Sequence, residues 1–167
     1  MNDTHLFAFE SDFVATLRCV PMAVRLKLDR CEIKLSLRQW SRFTRDDRQH
    51  LLEASCLTSK DIVAYRAELI ELIALRAREP AKPLSDPPAP LWEQAAAPPP
   101  VVIAFAKSLG VAPPTDAQWR ALAELERFAL VKLTRQNHDN INFLPAMREF
   151  GLLEPSDGRL RESALSA

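Results

Sequence analysis

Glycine is nearly missing from this chain, three residues in 167, and a phosphate-cradling glycine loop is missing with it. No stretch alternates Val, Ile, Thr and aromatic residues for long, so strand candidates are few. Cysteine is as sparse: Cys19, Cys31 and Cys56 are odd in number and unevenly spaced, which fits free thiols in a reducing compartment better than a disulfide framework. There is no paired-cysteine zinc motif, and His5, His50 and His138 stand too far apart for a helical i, i+4 metal pair. The longest apolar runs fall far short of the roughly 20 residues that cross a bilayer. The first residues also lack the basic, apolar and small-residue zones of a secretory signal. No Ser or Cys nucleophile lies in a recognisable local motif. The expectation is a cytoplasmic non-enzyme with no cofactor, no bound metal and no membrane contact.

What the chain does have is a globular balance, with 47% apolar and 26% charged residues, and punctuation suited to helices. Phe13, Leu17, Val24 and Leu28 sit at helical spacing, with Pro21 either kinking that segment or opening a second helix. Ser36 and Thr115 read as N-caps four residues before Trp40 and Trp119, so each Trp belongs to the first turns of a short helix. Thr44 with Asp47 starts a helix through about Ala54, and Thr58 with Asp61 starts the longest one, through about Arg78. Pro100 opens a helix that Gly110 closes; further helices are expected from Thr115, from Glu124 and, after a polar loop at Arg135–Asn142, from Pro145 to Gly151.

The same punctuation recurs 79 residues on: Pro21, Gln39, Trp40, Arg48 and Leu51 answer to Pro100, Gln118, Trp119, Arg127 and Leu130. A period of this length exceeds that of the common solenoid repeats, so it points to one helical unit used twice and packed on itself. Between the copies, Pro80 to Pro100 holds eight prolines in 21 residues, which excludes helix and sheet from most of it. Trp92 is its lone aromatic and a candidate pin onto a core. The predicted fold is therefore all-α. It comprises a single domain over 1–153, with copy one at about 13–79, the connector at 80–100, copy two at about 100–151, and a flexible tail at 154–167.

Net charge is zero but unevenly placed: Arg18 to Arg48 holds nine Lys or Arg against four Asp or Glu, a net of +5. Such a stretch is commonly a solvated helix face; its functional reading is steering toward an acidic partner protein. Few aromatics accompany the basic residues, so nucleic acid is not the expected partner. Chemistry-bearing residues fall at the two edges that the repeat does not reproduce. Before copy one stand Arg18 and Cys19, with Met22 and Arg25 just inside it; after the matched part of copy two come Arg135, His138, Asn142 and Phe143. A nearby guanidinium lowers a thiol pKa, which makes Cys19 a possible reactive group, although a free Cys more often packs as a small hydrophobe. Loop structure is the commoner role for the Asn and Asp around His138.

The run from Phe7 to Asp29, followed by Ile33-Lys-Leu and Gln39-Trp, resembles the opening of the nitrate reductase-associated protein family. The block Arg127-Phe-Ala-Leu-Val-Lys-Leu-Thr-Arg135, then His138, Asn142-Phe143, Pro145-Ala146 and Glu149-Phe-Gly151, resembles its close. Cys31-Glu32 departs from the family pattern, where a glycine is expected. The resemblance implies a small accessory protein for assimilatory nitrate reductase, a molybdenum cofactor and iron-sulfur enzyme. It would support that enzyme's activity or maturation by binding it or its apo form. The expected contact set is Arg18, Cys19, Met22, Arg25, Arg135, His138, Asn142 and Phe143. An alternative from a different class is a thiol or metal carrier that uses Cys19 and His138 to deliver a cofactor component.

Overall fold

A computed structural model of the chain describes residues 4–10, 16–85, 89–135 and 141–153. The architecture is mostly helical. Its helices are α1 (Met22–Cys31), α2 (Leu37–Arg42), α3 (Arg45–Glu53), α4 (Ser59–Leu72), α5 (Pro100–Ser108), α6 (Asp116–Ala121), α7 (Glu124–Leu133) and α8 (Phe143–Glu149). A single 3-10 turn, Ala8–Glu10, precedes them, and α4 runs on into a π-helical turn, Ile73–Ala77. Among the described residues, the one addition to the all-α expectation is a short antiparallel ladder of β1 (Ile33–Lys34) with β2 (Lys82–Pro83). Pro83 cannot donate to a ladder, so the chain moves one residue on and Leu84 N–H donates to the Glu32 carbonyl at 3.0 Å.

Helix α1 is the hub. Met22, Ala23, Val24, Leu26, Leu28 and Cys31 are all buried, so most of the helix lies inside the core although Arg25, Lys27, Asp29 and Arg30 interrupt its apolar surface. It packs against α3, α4 and α7. Pro21 stands at its N-cap position, and Thr16–Val20 approach it as non-helical chain with Leu17 in the left-handed region (φ 52°). The helical stripe expected through Leu17, Val20 and Val24 is therefore interrupted. Proline has a fixed φ suited to starting a helix and no N–H to continue one. Phe13, the stripe's predicted beginning, lies outside the described residues.

Lys27 breaks the apolar pattern of α1 and is fully buried. Its ammonium donates to the Leu52 carbonyl at 2.6 Å and the Ala54 carbonyl at 2.7 Å. These belong to the C-terminal turn of α3, where carbonyls lack helical partners and the dipole favours a cation.

Four helices begin at the N-caps read from the sequence, and at all four the cap is reciprocal. Ser36 with Gln39, Thr44 with Asp47, Thr58 with Asp61, and Thr115 with Gln118 each exchange two hydrogen bonds. At Ala123 half the device survives: alanine offers no oxygen, and Glu126 alone accepts from the Ala123 N–H at 2.8 Å. The α1 end is less comfortable. Glu32 occupies a left-handed position (φ 54°) that costs an L-residue roughly 1–2 kcal/mol, the place where glycine is at ease. Gly110 (φ 73°) and Gly151 (φ 69°) meet the same demand after α5 and α8. Helix α8 starts at Phe143, two residues before the expected Pro145.

Both Trp–Arg pairs clamp backbone. Trp40 is buried, and its indole N–H donates to the Leu17 carbonyl at 2.8 Å; Arg48 donates to the same oxygen through Nη1 and to the Trp40 carbonyl through Nε, each at 3.1 Å. Trp119, equally buried, donates to the Gln94 carbonyl at 2.8 Å, while Arg127 Nε donates to the Trp92 carbonyl at 2.8 Å and Nη1 to the Leu122 carbonyl at 2.6 Å. Trp92 itself is buried, edge-on to Phe128 with centroids 4.9 Å apart. One continuous apolar cluster joins Phe7 and Leu17 to Trp40, Trp119, Phe128 and Met147.

The guanidinium fork, rather than charge alone, makes these clamps. Arg48→Lys and Arg127→Lys are each expected to lower stability by about 1–3 kcal/mol, because one ammonium cannot satisfy two or three carbonyls spread around a planar fork. Urea unfolding followed by circular dichroism measures this; wild-type midpoints in both variants would contradict it.

Candidate functional site

The C-terminal half of α1, the strand β1 and the end of α7 enclose a cleft of about 420 Å³. Among the described residues its cationic lining is Arg25, Lys34, Lys132 and Arg135, against one carboxylate, Asp29. Leu28, Leu35 and Leu37 supply apolar wall, and Cys19 stands at the edge, half-buried.

The cleft exists because α1 and α7 cross here, held by two ion pairs. Asp29 meets Lys132 at 2.5 Å, with both side chains about 10% exposed, and Arg30 meets Glu124 at 2.9 Å. Arg30 also donates to the Cys56 carbonyl at 3.1 Å. Lys132 and Glu124 lie near opposite ends of α7, so the pairs set the position of that helix along α1. Burial holds the Lys132 ammonium below its ordinary pKa; Asp29 pulls it back, while Arg135 and Arg25 push it further down. The site therefore contains a desolvated ammonium crowded by two guanidiniums.

Of the residues expected to meet a partner, Cys19, Arg25 and Arg135 are brought together in this one cleft, although 110 positions separate Arg25 from Arg135. Arg25 also steadies the cleft edge, its Nε donating to the Val20 carbonyl at 3.1 Å. Arg18 is exposed nearby in sequence but does not line the cleft. Met22 and Phe143 are buried, the latter edge-on to Phe105 with centroids 4.9 Å apart. As partner contacts they are corrected to packing residues, since neither side chain reaches solvent. Asn142 is half-buried and precedes α8 without a side-chain cap bond. His138 lies outside the described residues.

Sequence reasoning missed Asp29, Lys34 and Lys132. Lys132 did carry a signal: it is the lone charge within Phe128-Ala-Leu-Val-Lys-Leu133 and so falls on a buried helix. A second concavity, of about 410 Å³, separates α3 from α4 and is rimmed by Asp46, Asp47, Glu68 and Glu71. Its acids are partly answered, Asp47 by Arg76 at 2.8 Å and Glu68 by His50 at 3.0 Å. None of the described residues expected to touch a partner lines it.

Among the described residues no group of three or more His, Cys, Asp or Glu is arranged to hold a metal, and no helix is long and apolar enough to cross a membrane. Fold and site together define a helical protein whose charged cleft lies between two crossing helices. Comparison with known families then places it: residues 6–150 match the family described as conserved nitrate reductase-associated protein, and the chain belongs to that family. No curated protein and no solved structure matches it.

Lys132→Met leaves Asp29 buried without its cation and is expected to cost about 3 kcal/mol, whereas Lys132→Met with Asp29→Leu removes both charges and regains most of that loss. Denaturant unfolding of the four members of this cycle checks it. A double variant no more stable than Lys132→Met would be inconsistent with the ion pair described.

Proposed function

We propose that this chain is a non-catalytic accessory protein of the cytoplasm that supports the activity or maturation of assimilatory nitrate reductase by binding it, using the α1–α7 cleft as its contact surface. Family membership supplies the association with nitrate reductase. The observation that carries the choice of surface is the convergence of Cys19, Arg25 and Arg135, from opposite ends of the chain, on one concave and mainly cationic site. Cationic surfaces accelerate encounter with an acidic partner, and a standard interface asks for about 800 Å² from each side.

The scaffold is, in this reading, one helical unit used twice and joined by the proline-rich segment. Supporting it are the capped Trp helices Leu37–Arg42 and Asp116–Ala121, which start 79 residues apart, and the Trp–Arg clamps that follow them. Each clamp grips the chain that leads into its own unit, at Leu17 in one case and at Trp92 and Gln94 in the other.

Capture of apo nitrate reductase by the wild-type chain, and at least tenfold weaker capture by the Lys34→Glu/Arg135→Glu variant, is the expected result. Both side chains are exposed, so the fold should tolerate their reversal. Arg120→Glu, on the exposed side of α6, serves as the control. Undiminished capture by the double variant would remove the cleft as the contact surface.

One observation favours a second reading, a thiol carrier: Cys19 lines the cleft and is the least buried of the three cysteines. Cys31 is a poor candidate, since burial pushes its thiol up to about 11. The carrier reading expects Cys19 to alkylate rapidly near neutral pH and Cys19→Ser to abolish support of the reductase; full support by Cys19→Ser would dismiss it.

A further inference from the structure

Lys132 is a built but incompletely answered donor. Its ammonium offers three hydrogens, and Asp29 is its one hydrogen-bonding or ion-pair partner among the described residues. The Phe128 ring face, 5.2 Å from Nζ, adds attraction without accepting as an oxygen does. The side chain is about 10% exposed and lines an open cleft, so the hydrogens that Asp29 does not take remain available to an occupant. Arg135 and Lys34 stand on the same cleft, exposed and without an ion pair among the described residues. The described lining thus holds more cations than carboxylates. It also leaves Leu37 59% exposed beside these cations, with half-buried Leu35 next to it. A bare oxyanion would answer the ammonium and leave Leu37 in water. An occupant that is both acidic and apolar answers both.

We infer that the α1–α7 cleft is a receptor for a short acidic-apolar peptide segment of a protein partner. Lys132 and Arg135 take a carboxylate, and Leu35 and Leu37 take the neighbouring apolar side chain. This deepens the accessory-protein reading and rests on it for the partner's identity, though the binding chemistry stands on the cleft alone. A guanidinium meets a carboxylate with two parallel hydrogen bonds, and a nearby desolvated ammonium strengthens the field at the same oxygens. The volume, about 420 Å³, lies in the range of sites that hold a few side chains or a small ligand.

The test is fluorescence anisotropy with the full chain and two labelled peptides, one of alternating Glu and Leu and one of alternating Gln and Leu. The Glu-Leu peptide is expected to bind at least tenfold tighter than the Gln-Leu peptide, and more weakly as salt is raised. Arg135→Glu and Leu37→Asp, both at exposed positions, should each weaken it about tenfold, while Arg120→Glu should not. Lys132→Met should do the same, with circular dichroism confirming that this variant is folded. Equal binding of the two peptides, or wild-type affinity in Arg135→Glu and Leu37→Asp, would overturn the inference. So would tight binding of inorganic phosphate with no binding of either peptide. Peptide binding as expected, with reductase capture indifferent to Lys34→Glu/Arg135→Glu, keeps the receptor and removes the reductase reading. Lost capture in that variant with no peptide binding does the reverse.

Discussion

The buried ammonium of Lys27 ties the central helix to its neighbour, and much of the molecule follows from it. Taking a cation out of water is costly unless oxygen atoms replace the water. Here they are the Leu52 and Ala54 carbonyls, left over at the end of α3. The helix end needs a donor and the cation needs acceptors, so each makes the other's burial tolerable. Two residues on, Asp29 repeats the logic with Lys132 of α7. One face of α1 thus fixes α3 and another fixes α7, and the cleft is the space left where α1 and α7 cross.

Backbone carbonyls outside the helices are handled by a second device. Leu17 sits in the left-handed region with its carbonyl turned to the Trp40 indole and the Arg48 fork, which orients the chain entering α1 at Pro21. Cys19 lies within that entering segment. Its place on the cleft edge therefore depends on a clamp made of residues that do not themselves line the cleft. The carboxylate of Glu149 secures the N-terminal turn in a related way, accepting from the Ala8 and Phe9 N–H groups at 2.8 and 2.9 Å. Glu10 in that turn accepts from Met22 N–H at 2.8 Å, and burial nevertheless raises its carboxyl above the ordinary value.

Local signals were legible wherever the chemistry was local. Ser36 and Thr115 ahead of a Trp, and Thr44 and Thr58 three residues ahead of Asp, announced four helix starts, and each formed, because a cap is complete within four residues. The two-residue ladder with Lys82–Pro83 was not legible: it requires a chain segment some fifty residues away to arrive alongside Ile33, and proline argues against strand in any local reading. Met22 and Phe143 were misassigned to a surface for a similar reason. They were grouped with the charged and polar residues at the two edges, and only the packing of α1 and α8 into the core shows which way they face. The cleft was half legible: Cys19, Arg25 and Arg135 were singled out, while Asp29 and Lys132 were passed over.

The sequence by itself determined the helical class, most helix starts, the family, and the pair of Trp–Arg positions, since each depends on spacing along a few dozen residues at most or on a pattern matched in order. Tertiary structure alone decided that Arg25 and Arg135 share a cleft, that Lys132 is buried against Asp29, and that Leu37 is left beside them in water. The reason is physical. Capping and periodicity are properties of bonded neighbours, whereas burial and charge pairing depend on which helices cross, and that is settled when the whole apolar surface is removed from water at once.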